Sequence, residues 1–128
     1  MNDATLMNAH VQAKRIYSLL NEVMDISRQM AEAVDRDDQV AIQMLVSMRE
    51  EPVRRLRQAR LALKEQRDAL APEESAGLSR LLNGGAAETG AEQPLADQIA
   101  INRRLLEQVL ELDKILNRKL TREDSVYK

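Results

Sequence analysis

Three features of this 128-residue chain predict an all-α fold. The expected form is an elongated antiparallel helical hairpin, coiled-coil-like, with a third long C-terminal helix and a short connecting helix. First, apolar residues recur in steps of three and four through three long segments, the period of a helix face rather than of a strand. Second, Phe, Trp and Cys are absent, and Tyr17 and Tyr127 are the only aromatic residues. A compact globule of this length normally fills its centre with aromatic side chains. Third, Leu, Ala, Glu, Arg and Gln are abundant, which favours thin seams between long helices. The length fits one domain over residues 1–128. Hydrophobic content of 44% and charged content of 31% separate the chain from disordered and membrane-embedded classes.

The first helix is expected over about 3–34. Leu6, Ala9, Ala13, Ile16, Leu20, Val23, Ser27, Met30 and Val34 form one seam, widened by Leu19, Ile26 and Ala33. Ser27 is its only polar member, and neither Gly nor Pro interrupts it. Asp35-Arg36-Asp37-Asp38 then breaks the pattern. Asp37 or Asp38 suits the N-cap of a second helix, because a carboxylate accepts from the orphan N–H groups of the first turn. Such a tight junction makes the two helices antiparallel neighbours.

The second helix is expected over about 38–71, with a stripe of Ala41, Leu45, Met48, Pro52, Leu56, Ala59, Leu63 and Leu70. Pro52 removes a backbone donor and clashes with the preceding turn. It predicts a kink near Met48–Glu51 or a division in two. The kink is favoured because the spacing resumes beyond the proline. Pro72 opens a short helix over 72–83 from a first-turn position that tolerates it. Glu73 and Glu74 complement that end of the dipole, and Asn83-Gly84-Gly85 supplies a left-handed stop. Residues 84–93 are expected to be a mobile loop.

The last helix is expected over about 94–120, opened by Pro94, with a polar, frayed tail over 121–128. On a helical projection its apolar residues cover roughly 220°. Val109, Leu116, Leu105 and Leu120 lie near the middle. Ile99, Leu106 and Leu110 form one flank; Ile101, Leu112 and Ile115 form the other. A helix packed on one surface needs only about 100°. The surplus predicts either a central helix between two neighbours of the same fold or a second contact surface for a partner. In the partner reading, one flank is buried in the protein and the other is free. Asn102 falls inside the apolar arc, where a buried Asn fixes register at a cost in stability. Its alternatives are a partner surface or water at a helix crossing.

Chemistry-bearing motifs are few. His10 is the single histidine and reads as a seam-edge residue rather than a base or ligand. Metal sites built from Cys and His are excluded by count. The paired Glu-x-x-His motifs of di-iron bundles are missing, as is a glycine-rich phosphate loop with its lysine. No enzymatic role and no cofactor are therefore expected. Six methionines are better explained by core filling than by docking. Between Arg49 and Arg67 there are seven basic and three acidic residues, and Arg57, Arg60, Lys64 and Arg67 share one stripe. This patch would suit an acidic partner or nucleic acid. The competing reading is a solvated face with Glu50–Arg54 and Glu51–Arg55 pairs. A net charge of −2 and the lack of stacking aromatics argue against nucleic acid. No apolar run reaches a membrane span, so membrane insertion is not expected. Met1-Asn2-Asp3 lacks the flank of a signal peptide, and the absence of cysteine is compatible with the cytosol.

These residues together resemble the FlgN-type flagellar export chaperones, with the FliT type next. The similarity runs through Ala33-Val34-Asp35-Arg36-Asp37, Leu45-Val46, Arg49-Glu50-Glu51 and Leu56. It continues in the Gly-rich stretch before Ile101-Asn102-Arg103-Arg104-Leu105-Leu106, and covers roughly Leu6 to Leu120. Pro52 departs from the pattern. The resemblance implies a cytoplasmic chaperone that holds the helical C-terminal segment of a flagellar axial protein of the hook–filament junction type before type III export. Its partner surface would be one flank of the last helix. The alternative is a structural coiled-coil adaptor or homodimer without an export client.

Overall fold

The computed structural model describes the backbone of residues 1–127 and side chains through Thr121. The fold is all-helical: α1 (Asp3–Asp35), α2 (Gln39–Asp68), α3 (Pro72–Leu82), a 3-10 turn (Gly90–Glu92) and α4 (Gln93–Tyr127).

All nine expected seam residues of α1 are buried, together with Leu19, Met24, Ile26 and Ala33. The stripe is this wide because α1 has two long neighbours. Both α2 and α4 pack along it, and the backbones of α2 and α4 make no contact among the described residues. The central helix is thus α1, not α4. α1 and α2 form the antiparallel hairpin, and α4 runs parallel to α1, as its Asn102–Ala13 and Lys119–Asp35 contacts show.

The hairpin turn is tied by backbone geometry. The amide of Asp37 donates to Val34 and that of Asp38 to Ala33, closing α1 as a Schellman motif. Asp37 occupies its left-handed position at φ 55°. Asp38 is also the N-cap of α2, accepting from the Ala41 amide at 3.1 Å. α2 is one continuous helix through Pro52, whose ring is buried. Met48 departs from the expected stripe and is half exposed. Arg49 turns inward in its stead. Its guanidinium donates to Ser27 Oγ at 3.3 Å and pairs with Asp113 of α4 at 2.8 Å. This polar crossing separates two apolar clusters, one around Leu20, Leu63 and Leu81 and one around Met30, Leu45 and Leu116.

α3 covers the open end of the hairpin with fully buried Leu78 and Leu81, each contributing roughly 1.5–3 kcal/mol by burial. It ends in a second Schellman motif, with Gly84 at φ 94°. Within the stretch expected to be a mobile loop, Glu92 closes a 3-10 turn and is held from two sides. Glu92 is buried and accepts from Arg80 at 2.9 Å and from the Glu88 amide at 3.2 Å. The hydrogen bond donated by the Glu88 amide, and then that from Arg80, hold its carboxyl below the ordinary glutamate range. α4 continues to Tyr127, past the expected end at Leu120. Of the expected frayed tail, the side chains after Thr121 and the whole of Lys128 lie outside the described residues. No helix among the described residues is long and apolar enough to cross a membrane.

Candidate helix-binding groove

The residues of α4 that meet α1 are Leu95, Asn102, Val109 and Leu116, all buried. Their seven-residue spacing drifts about 20° per heptad around a straight helix. Position relative to this contact line decides the fate of the two flanks. Ile99, four residues beyond Leu95, lies about 50° from it and is buried, whereas Leu110, next to Val109, lies about 100° around the helix and is 51% exposed. On the other flank, Leu112 comes close enough to pack on both clusters, while Ile101 and Ile115 stay exposed at 42% and 38%. The expectation of one buried and one free flank is therefore corrected: each flank is split along its length. Asn102 is settled by the same contact. Its amide donates to the Ala13 carbonyl at 2.8 Å and its Oδ1 accepts from Gln98 at 3.0 Å. The small Ala9 and Ala13 side chains leave the α1 backbone open to it.

The separation of α2 and α4 leaves a groove of about 490 Å³ with α1 as its floor. Ile16 and Leu20 line the bottom, Leu56 and Leu63 one wall, and Ile99 and Leu106 the other. Leu82 of α3 stands at one end, and the Arg49–Asp113 bridge ties α2 to α4 further along. The α2 wall from Leu56 to Arg67 is about 17 Å long, roughly three helical turns. Two features read separately in the sequence thus face each other. Ile99 and Leu106 of the first flank oppose Arg60, Lys64 and Arg67 of the basic stripe.

The rim is cationic. Arg103 of α4 joins Arg60, Lys64 and Arg67, and no groove-lining residue is acidic. Among the described residues no carboxylate pairs with Arg57, Arg60, Lys64 or Arg103, while Arg67 pairs with the adjacent Asp68 at 3.1 Å. Upstream, Arg54 and Arg55 both bind Glu51, so the expected Glu50–Arg54 pair is replaced. The Arg54 hydrogen bond, then that of Arg55, lowers the Glu51 pKa. Arg57 is exposed on the same stripe but does not line the groove.

Sequence reasoning missed Arg103 and Leu61. Arg103 sits at the edge of the apolar arc of α4, beside the flank of Ile99 and Leu106, and lines the groove. Leu61 lies off the α2 stripe, and a leucine among charged residues was the available signal; it lines the groove while 54% exposed. His10 borders a smaller hollow near Leu6 and Leu95, with its Nδ1 buried and unbonded. Among the described residues no group of three His, Asp or Glu side chains converges as for a metal. No family model, curated protein or solved structure matches the chain.

Proposed function

We propose that this chain is a binding protein that takes an amphipathic helix of a partner into the groove between α2 and α4. We further propose that the partner is a flagellar axial protein of the hook–filament junction type, held in the cytoplasm before type III export. One observation carries the helix-binding reading. Two long helices flank α1 without backbone contact between them, and the strip that separates them is lined by apolar side chains, of which Leu61 is exposed and Leu56, Leu82 and Leu106 are half-buried. A helix laid there with anchors at i, i+3, i+4 and i+7 would complete a four-helix cross-section. The resemblance to FlgN-type chaperones supports the identity of the partner, as a family analogy.

The mechanism needs no bond chemistry. Burial of the partner's apolar stripe would keep that stripe from its assembly contacts, and the partner would be released when export machinery competes for it. The test is co-expression with the hook–filament junction proteins of the same genome, followed by size-exclusion chromatography with light scattering. A stable complex, lost in Leu61→Asp with helicity unchanged, is the expected result. A folded chain that captures none of those axial proteins would refute the export role.

A second reading is a self-assembling subunit. The exposed Ile101 and Ile115 favour it, since they lie on the side of α4 away from the groove. A mass that stays monomeric across a wide concentration range removes it.

A further inference from the structure

We infer that the groove selects an acidic amphipathic helix, one whose apolar stripe is bordered on both sides by Glu or Asp. This rests on the helix-binding reading above and adds the partner's charge to it. The chain as a whole carries a net charge of −2, but the groove carries the opposite sign. Arg60, Lys64 and Arg67 stand on one rim, Arg103 stands on the other, and no lining residue is acidic.

The sign is not cancelled from within. The neighbouring arginines 54 and 55 are held by Glu51, whereas among the described residues Arg60, Lys64 and Arg103 have no carboxylate partner. Arg60 and Lys64 are four residues apart on one helix, a like-charge spacing that mildly destabilises the free protein. An occupant with carboxylates on both flanks would relieve that repulsion and bridge the two rims. A helix with basic flanks would be refused by the same charges, and this gives specificity as well as affinity. Nucleic acid fits less well. The surface between the cations is apolar, with Ile16 and Leu20 at the floor and Leu63 on the wall, and no aromatic side chain lines the groove to stack a base.

The test uses two fluorescein-labelled peptides of about 18 residues, long enough to exceed the roughly three-turn α2 wall. Both carry the same Leu and Ala stripe at i, i+3, i+4 and i+7. One has Glu and the other Lys at the flanking positions. Binding to the full chain is read by fluorescence polarisation at low and high salt. The Glu peptide is expected to bind, more weakly as salt rises, and the Lys peptide is expected not to. Arg60→Glu with Lys64→Glu should weaken the Glu peptide about tenfold or more and strengthen the Lys peptide. Both substitutions lie on the exposed side of α2, and circular dichroism checks the fold. Leu61→Asp should weaken the Glu peptide while Arg60 and Lys64 remain. Equal binding of the two peptides would overturn the acidic assignment and leave the groove reading standing. Failure of both to bind the folded chain would overturn both readings. Binding of a short DNA duplex in their place, lost on the same charge reversal, would also overturn both readings in favour of nucleic acid.

Discussion

Asn102→Asp is the substitution whose consequence follows most directly from the packing of α4 on α1. The Asn102 amide donates to the Ala13 carbonyl oxygen at 2.8 Å, and the residue is 7% exposed. An ionised Asp there would set a carboxylate oxygen against a carbonyl oxygen in a nearly dry seam. The chain escapes by protonating the acid, which can then donate an O–H to Ala13. Holding an Asp of ordinary pKa ~3.9 protonated at pH 7 costs about 4 kcal/mol, and this caps the destabilisation. The folded-state pKa is raised, so the unfolded chain releases its proton first. Stability relative to the parent is therefore intact below about pH 4 and falls as pH rises above the unfolded value. At about 4 °C per kcal/mol for a chain of this size, the melting temperature at pH 7 should drop by up to about 15 °C. Asn102→Leu is the control. It loses two neutral hydrogen bonds, one to Ala13 and one from Gln98, about 1 kcal/mol each, but the Ala13 carbonyl keeps its own i+4 helical donor, the half-buried Gln98 amide can turn to water, and the leucine gains burial. It should melt within a few degrees of the parent. Thermal unfolding followed by circular dichroism at pH 7 and pH 4.5 gives both comparisons. If Asn102→Asp melted like Asn102→Leu at both pH values, the side chain would be in water and the docking of α4 at this point would be wrong.

Three further outcomes follow from local geometry. Asp37 sits at φ 55° in the hairpin turn, a conformation that costs a non-glycine residue about 1 kcal/mol or more; Asp37→Gly should raise the melting temperature by a few degrees, and a decrease would deny the strain. Gly85→Ala should destabilise, because the added Cβ would meet the Arg80 carbonyl oxygen at 2.7 Å; urea unfolding with an unchanged midpoint would contradict this. The depressed carboxyl of Glu92 contributes stability that is present above its unfolded pKa and lost as pH falls through the lower folded value. Glu92→Gln should therefore flatten the acid side of the stability profile, and an acid limb as steep as the parent's would show that other carboxylates set it.

Much of the fold was legible along the chain because helices declare themselves locally. The α1 seam from Leu6 to Val34, the Asp38 cap, the first-turn Pro72 and the left-handed Gly84 each follow from period or dihedral preference within a few residues. Met48 and Arg49 were harder to read. Hydropathy places the methionine inside and the arginine outside. The reverse arrangement holds because Arg49 finds Ser27 and Asp113 at the crossing of three helices, two partners 22 and 64 positions away. The Arg80–Glu92 tie was hidden for the same reason. Arg80 and Glu92 look like ordinary surface charges until α3 and the start of α4 bring them together.

The groove marks the division most clearly. Its ingredients were visible in the linear chain: an apolar arc on the last helix wider than one neighbour needs, and a basic stripe on the second. That these belong to one site was decided by tertiary structure alone. Helical periodicity determines which side of a helix is apolar, because the 100° step is a property of the local backbone. It carries no information on which helix becomes the centre. Here α1 takes both neighbours, so α2 and α4 stand apart across it. The heptad line along which α4 meets α1 then determines that Ile99, four residues from Leu95, is buried, while Leu110, Ile101 and Ile115, each adjacent in sequence to a contact residue and so about 100° around the helix, stay exposed.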